Sequence, residues 1–254
     1  MPFCTNCGTR LDVDCHFCTG CGRSLGNGGD PTEAAAAAAA AAPAPEPLEY
    51  TIQGDTLQVV RILLKPGQEV YADAGKMVYK FPEVGWASRA AGILGESLFL
   101  THFSATSPSE VGFAGGCPGR IQAFDLTAGQ SVLVERSGFI CAQSTSRLDI
   151  TPLHKPGAGL VLERLTGPGT AFIHAAGDSI EFNLNPGQVI QVDAGCIVAF
   201  DESVGLDIQP AEGIQTSLAR GAGLSLAALT GPGRVVIQTL HREPSPVPAG
   251  RDEG

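Results

Sequence analysis

The feature that most restricts the fold of this chain is a turn-forming stretch that it repeats. LKPGQEVYADAGKMV and LNPGQVIQVDAGCIV share a Pro-Gly-Gln turn and many apolar positions, and LTAGQSVLVERSGFI is a third copy. The glycines of the Gly-Gln pairs are 62 and 58 residues apart, at Gly67, Gly129 and Gly187. A period of about sixty residues indicates a fold built from three similar units.

The residues of the repeat favour strands joined by tight turns. Pro66-Gly67 suits a type II turn, because Pro fixes φ at the first corner and Gly accepts a positive φ at the second. We expect a hairpin there, between LQVVRILL and EVYADA. A second recurring motif is a Pro-Gly marker followed by a short apolar stretch. It occurs as GCPGRIQAF from Gly116, LTGPGTAFI from Leu165 and LTGPGRVVI from Leu229. The units are too short to close separate cores, so we predict one all-β sandwich or barrel with pseudo-threefold character.

The composition agrees with this prediction and disfavours several classes of function. The 254 residues include 33 Gly and 18 Pro, 43% are hydrophobic and only 6% are aromatic, which favours many short strands around a core. A formal net charge of −10 with scattered basic residues makes nucleic acid an unlikely partner. No apolar run approaches the roughly 20 residues that span a bilayer, and no signal sequence is visible. We therefore expect a cytoplasmic protein.

The N-terminal segment, residues 1–26, carries a duplicated metal-binding pattern. FCTNCGTRL and FCTGCGRSL repeat F-C-T-x-C-G-x-x-L at an offset of 14 residues. Two such C-x-x-C-G turns supply four thiolates for one tetrahedral, structural Zn²⁺, here from Cys4, Cys7, Cys18 and Cys21. Cys15 and His16 are the competing ligands, and a disulfide framework or a redox C-x-x-C is the rival chemistry. A closed Cys4 site leaves no position for substrate, so we expect the zinc to fold a small ribbon that contacts protein.

Two segments flanking the β domain are predicted to be unstructured. Residues 27–47 contain a Gly-rich stretch, an alanine run and alternating prolines, a composition typical of a spacer. Residues 243–254 have too little apolar content to fold. The three-repeat β domain is therefore expected to occupy residues 48–242.

Three quoted motifs carry a family resemblance. LKPGQEVYADAGKMVY, GILGESLFL and LNPGQVIQVDAGCIVAF occur in the order found in the altered-inheritance-of-mitochondria protein twenty-four family, which the β domain resembles over nearly its whole length. The resemblance implies a double-stranded β-helix or sandwich like that of the tryptophan RNA-binding attenuator protein, frequent self-association and no known enzyme activity. A ribbon stands where the mitochondrial relative has a transit peptide, so a mitochondrial role is not carried over.

Several acidic positions are candidates for chemistry. Asp73, Glu135 and Asp193 occupy matching places in the three copies. Such an acid commonly accepts backbone hydrogen bonds in a turn, and this structural interpretation is preferred over a metal or acid/base role. Glu96 and Ser97 lie in GESLF, which lacks the G-x-S-x-G pattern of a hydrolase nucleophile and is assigned to packing or a cap.

The remaining candidates are isolated in sequence. Trp86 and Arg89 flank the GESLF element. A lone Trp beside glycines is expected to be half-buried, whereas an exposed Trp there would suit a protein partner or a membrane surface. No H-x-H pair occurs among the histidines of the β domain, which disfavours a β-helix oxygenase: His102, His154, His174 and His241. Three cysteines with apolar neighbours are expected to be buried core residues: Cys117, Cys141 and Cys196.

These observations favour a non-enzymatic adaptor or scaffold. A zinc ribbon would be tethered to a β domain that self-associates as a homo-oligomer and binds a protein or membrane partner. A small-molecule sensor is the first alternative, with a ligand in the β core or between subunits. An uncharacterised enzyme using Asp73, Asp193, Glu96 or a histidine is the second.

Overall fold

The computed structural model describes residues 45–73, 75–91, 98–150, 160–210 and 225–241. In this part of the chain the elements are β-strands and two short 3-10 turns, Arg136–Gly138 and Ala194–Cys196, so the all-β prediction is confirmed. The expected zinc ribbon and C-terminal tail lie outside the described residues, as does the linker up to residue 44.

The described strands follow one another in a regular order. A leading strand, β1 (Glu49–Gln53), precedes three consecutive sets of six. The first set comprises β2 (Val59–Leu64), β3 (Glu69–Asp73), β4 (Met77–Lys80), β5 (Val84–Ala91), β6 (Leu98–Ala105) and β7 (Ser109–Ala114). The second comprises β8 (Gly119–Leu126), β9 (Ser131–Glu135), β10 (Phe139–Gln143), β11 (Arg147–Ile150), β12 (Leu162–Thr166) and β13 (Gly169–Ala176). The third comprises β14 (Ser179–Leu184), β15 (Val189–Asp193), β16 (Ile197–Asp201), β17 (Gly205–Pro210), β18 (Ser225–Thr230) and β19 (Gly233–Gln238).

Each set pairs its strands in the same nested way. The first and third strands flank the sixth, as β2 and β4 flank β7, and the second and fourth strands flank the fifth, as β3 and β5 flank β6. The second set repeats this arrangement. So does the third. All of these pairs are antiparallel, so each set folds into two short layers.

Neighbouring sets are joined by one further antiparallel pair. The second strand of one set pairs with the third strand of the next, as β3 does with β10 and β9 with β16. These junctions produce four sheets with the orders β1-β2-β7-β4, β5-β6-β3-β10-β13-β8, β11-β12-β9-β16-β19-β14 and β15-β18-β17.

The repeated Gly-Gln stretch forms the same turn three times. The N–H of Gln68 donates to the carbonyl of Lys65 at 3.0 Å, and equivalent bonds close the turns that end at Gln130 and Gln188. The central glycines have φ of +87°, +79° and +76°. In every copy the Gln side-chain oxygen accepts the backbone N–H of the residue three positions earlier. The predicted turn geometry is therefore confirmed, and the Gln completes each turn.

Two expectations about strand order are corrected. The turn at Gly67 joins β2 to β3, which belong to different sheets, so it is a corner between layers and not a hairpin. The marker at Gly116 precedes β8, a first strand, whereas the other two markers precede the sixth strands β13 and β19. Turn residues determine a local reversal of the chain, but the pairing of strands depends on residues far apart in sequence.

The core fills the space between the layers in three clusters. β2 alternates half-buried and fully buried residues, as expected for a strand with one face in a core. Phenylalanines at Phe113, Phe139, Phe172 and Phe200 are fully buried among aliphatic side chains. The close packing holds the ends of β3, β9 and β15, where the candidate acids lie, in fixed positions.

Candidate functional site

The three repeated acids end equivalent strands. Glu135 and Asp193 each cap a 3-10 turn, with a carboxylate oxygen accepting the backbone N–H of Ser137 and Gly195, respectively, at 2.8 Å. The backbone hydrogen bond expected of the repeated acid is therefore present at both residues. Asp73 occupies the corresponding end of β3.

A buried carboxyl that the sequence did not single out lies near two of these acids. Glu163 in β12 is 2% exposed, and its Oε1 is 3.6 Å from Nε of Arg136. Burial raises the pKa of Glu163 to about 7; the Arg136 charge acts in the opposite direction, and Asp73 and Glu135 add to the rise. The available signal was a charged residue within the apolar run LVLERL.

A second polar cluster contains two of the sequence candidates. The carboxylate of Glu69 contacts Arg89 through both oxygens, at 2.9 and 3.1 Å, and its Oε1 is 2.8 Å from Nδ1 of His102. Burial favours a higher pKa for Glu69, but the hydrogen bonds and charges of His102 and Arg89 prevail and lower it. The cluster lies on the surface, because Arg89 is more than half exposed.

The paired strands β5 and β6 present exposed aromatic side chains. Trp86 is 65% exposed and Phe99, on the partner strand, is also exposed. The expectation of a half-buried Trp86 is therefore wrong, and its exposed position is the one that would suit a binding surface. Glu96, Ser97 and His154 lie outside the described residues, as do Cys4, Cys7, Cys18, Cys21, Cys15 and His16.

The cysteines and His174 have different environments. Cys141 is buried as expected, but Cys117 is exposed and Cys196 is half-exposed, so the expectation of burial is wrong for these two. Cys117 precedes β8 in a turn, and Cys196 ends a 3-10 turn, where apolar sequence neighbours do not determine burial. His174 in β13 is buried, and burial and then the Lys76 charge lower its pKa.

A group of three potential metal ligands forms at the end of β15. Single ligand atoms of Asp193, Cys196 and His241 lie within 4.8 Å of one another. Nδ1 of His241 is 3.5 Å from Sγ of Cys196 and 3.7 Å from Oδ1 of Asp193. No motif spacing indicates this group, because His241 lies 48 residues after Asp193 (241 minus 193).

Two strands differ from their equivalents by lying at a sheet edge. β10 and β16 pair on both sides, but β4, the third strand of the first set, pairs only with β7 among the described strands. β3 and β9 also pair on both sides, whereas β15 pairs only with β18 within the residues that the structure describes. Both edges expose apolar side chains, including Val78 (59%) and Val189 (53%).

Comparison with known proteins agrees with this architecture. Residues 50–240 match the family model described as "Mitochondrial biogenesis AIM24".

The chain belongs to the AIM24 family.

The chain is also similar to the uncharacterized protein M6_Spy0233 of Streptococcus pyogenes serotype M6. The two are 24% identical over 207 residues, which are 73% of this chain and 82% of the relative. The crystal structure of protein SPYM3_0169 from Streptococcus pyogenes superposes with a TM-score of 0.66 at 25% identity, covering 76% of this chain and 94% of that one.

The AIM24 match confirms the family that the sequence motifs indicated. It spans all nineteen strands of the described residues except the first residue of β1. The groups around Glu163 and Glu69 and the edges at β4 and β15 therefore belong to the AIM24 region, whereas His241 lies one residue beyond it. No helix in the described part of this AIM24 protein is long and apolar enough to cross a membrane.

Proposed function

We propose that this protein is a non-enzymatic scaffold whose β domain joins to further copies head to tail, through β15 of one copy and β4 of the next. The observation that carries the proposal is the pair of open edges. At the two junctions inside the chain, a second strand pairs with a third strand. β15 is the remaining second strand, and β4 is the remaining third strand.

The repeated pairing also supports the finer fold assignment. We interpret each set of six strands as one short double-stranded β-helix unit, because its strands pair in a nested order and its turn residues recur. In this interpretation the chain contains three units joined by two junctions, and a third junction of the same kind links neighbouring copies.

The internal junctions predict the register of the intermolecular one. Ala72 pairs with Cys141, and Val134 pairs with Ala199, where each first-named residue directly precedes a repeated acid. Cys141 and Ala199 each follow the register shift in their strand.

In the open edges, Val192 precedes the acid of β15 and Tyr79 follows the register shift of β4. The expected pairs are therefore Tyr79 with Val192, and Lys80 with Gln191. An exposed apolar strand edge is prone to uncontrolled association, and specific pairing with another copy would remove that hazard.

One hydrogen bond of the internal junctions has no counterpart in the proposed one. Ser144 and Glu202 donate their N–H groups to the first residue of the facing strand, at 2.9 and 3.2 Å. Pro82 occupies the equivalent place after β4 and has no N–H. The intermolecular junction is thus expected to contain one hydrogen bond fewer than the internal junctions, and to dissociate more readily than they do.

Assembly would give the N-terminal segment its role. Each copy adds one expected zinc ribbon, with Cys4, Cys7, Cys18 and Cys21 as ligands, on a spacer of about twenty residues. Several tethered ribbons bind a multivalent protein partner more tightly than one, because the second contact forms at a high effective concentration. Head-to-tail contacts close into a ring when the rotation between copies permits, and otherwise continue as a filament.

The assembly is tested by changing charge at the predicted pair of Lys80 and Gln191. Gln191→Lys places two ammonium groups opposite each other, which destabilises a cross-strand pair by up to about 1 kcal/mol, or roughly fivefold in the dissociation constant. Adding Lys80→Glu restores opposite charges and should restore assembly. Native mass spectrometry and sedimentation velocity of the full-length chain measure the subunit number.

Thr51→Lys is the matched control, because it adds the same charge at an exposed position of the edge strand β1. It should leave the subunit number unchanged. A wild-type chain that stays monomeric at every concentration contradicts the proposal, and so does equal weakening by Thr51→Lys and Gln191→Lys.

The adaptor role has its own test. Proteins retained by the full-length chain are compared with those retained by a chain lacking residues 1–26. An identical set of retained proteins would show that the ribbon recruits no partner.

A further inference from the structure

We propose that Asp193, Cys196 and His241 bind a divalent transition-metal ion of the zinc class, at a site separate from the expected N-terminal ribbon. A thiol, an imidazole and a carboxyl are the side chains that zinc most often uses in proteins. The three come together from the end of β15, the 3-10 turn that follows it and the segment after β19.

The distances fit a common metal centre. With zinc bonds of roughly 2.3 Å to sulfur and 2.0 Å to nitrogen, tetrahedral geometry separates the sulfur and nitrogen atoms by about 3.5 Å. Sγ of Cys196 and Nδ1 of His241 are 3.5 Å apart. Nδ1 of His241 is 3.7 Å from Oδ1 of Asp193, and all three ligand atoms lie within 4.8 Å of one another. Small side-chain adjustments are enough to bring them to bonding distance from one ion.

The orientation of the imidazole distinguishes this group from a catalytic triad. In a Cys-His-Asp triad, the two ring nitrogens contact different partners, so that one is oriented by the acid while the other takes the thiol proton. Here the thiol and the carboxylate both face Nδ1 of His241. Three donor atoms directed toward one another are arranged to share an ion, and are not arranged to pass a proton along the ring.

The fold accounts for Asp193 but not for Cys196. The acid recurs in all three sets, and it caps the turn by accepting the N–H of Gly195. This bond also holds the carboxylate in place, as second-shell contacts do for metal ligands. Cys196 follows the repeated acid by three residues. The equivalent position is occupied by Lys76 in the first set and by Gly138 in the second.

A sulfur atom is therefore not required for this turn to form. Cys196 is half-exposed, so it is not explained as filling of the core either. The third set combines a structural carboxylate with a thiol and an imidazole that the other two sets lack at this place, and their joint presence is accounted for by a bound ion.

The site differs from a closed Cys4 ribbon in its chemistry. Three protein ligands leave a fourth tetrahedral position for water or an incoming donor. The side chain of His241 is more than half exposed, so that position is accessible from solvent. One thiolate in place of four also predicts weaker binding and a cobalt spectrum with less intense sulfur charge transfer than the ribbon gives.

The experiment counts zinc in the full-length protein. Wild type, Cys196→Ser, His241→Gln and Cys117→Ser are equilibrated with Zn²⁺, passed through a desalting column and analysed for metal per chain. Cys117→Ser is the control because it removes an exposed thiol of the same domain outside the cluster. The difference between wild type and variant is the measured quantity, so the result does not depend on how much zinc the ribbon holds.

The expected result is one equivalent of zinc fewer, or at least a tenfold weaker second binding step, in both Cys196→Ser and His241→Gln. Cys117→Ser should match wild type. His241→Gln changes an exposed side chain and serves as the second variant if Cys196→Ser does not fold, which far-ultraviolet circular dichroism reports. Equal zinc in wild type and His241→Gln would overturn the proposal, and so would an equal loss in Cys117→Ser.

Discussion

Replacing the buried Glu163 by Gln is expected to stabilise the protein at neutral and alkaline pH. Glu163 is 2% exposed, and burial raises its pKa from 4.5 to about 7. The folded chain therefore retains a proton that the unfolded chain releases between these pH values. Stability associated with this group is fully present below pH 4.5 and is lost as the pH rises through about 7.

The size of the effect follows from the two pKa values. The interval from 4.5 to about 7 corresponds to roughly 3 kcal/mol of unfolding free energy above pH 8. Gln cannot ionise, so Glu163→Gln should match wild type near pH 4 and exceed it by about 3 kcal/mol at pH 8. For a domain of this length, that difference corresponds to a rise in Tm of about 6–12 °C.

Urea unfolding at several pH values between 4 and 8 measures the difference. Far-ultraviolet circular dichroism is the appropriate signal, because the single Trp, Trp86, is 65% exposed and reports folding weakly. Comparing the two proteins at each pH cancels the titration of groups that do not interact with Glu163. Glu202→Gln is the control, since Glu202 forms a half-exposed pair with Arg164 at 2.9 Å, and such pairs contribute about 1 kcal/mol or less. A Glu163→Gln difference that is constant with pH would refute the reasoning.

Two further substitutions test the surface cluster and the repeated turn. Glu69→Gln removes a carboxylate whose pKa burial would raise but whose hydrogen bonds and charges from His102 and Arg89 lower in the folded state. The substitution should cost about 1 kcal/mol of unfolding free energy at pH 7, and the cost should disappear as the pH falls through the lowered folded pKa. A urea-unfolding series from pH 7 downward measures this loss. Gly187→Ala places a side chain at φ +76°, so thermal melting should show a loss of about 1–2 kcal/mol of unfolding free energy. Gly116→Ala is the control, because Gly116 has open space and no positive φ, and it should leave stability nearly unchanged.

Local chemistry explains which parts of the fold were predictable. The turn at Gly67 follows from its own four residues, since Pro, Gly and Gln determine the backbone angles and close the hydrogen bonds. The caps at Glu135 and Asp193 are equally local, because each acid bonds an N–H two residues away. These features need no information about the rest of the chain.

The hairpin expected at Gly67 was wrong for the opposite reason. Whether β2 pairs with β3 or with β7 is decided by side chains that are distant in sequence, and the nested order buries Val60 and Phe113 together in one core cluster. The burial of Glu163 likewise depends on the strands around it, since a charged residue in an apolar run can face either side of a sheet.

The sequence by itself determined the all-β class, the three equivalent turns and the acid that ends each second strand, because all of these depend on short-range residue chemistry. Only the tertiary structure decided that the turns are corners between layers, that β4 and β15 lie at open edges, and that Asp193, Cys196 and His241 lie together. These outcomes depend on contacts between residues far apart in the chain, such as Cys196 and His241, which are separated by 45 positions. Such contacts are set by packing of the whole domain and not by any spacing visible in the sequence.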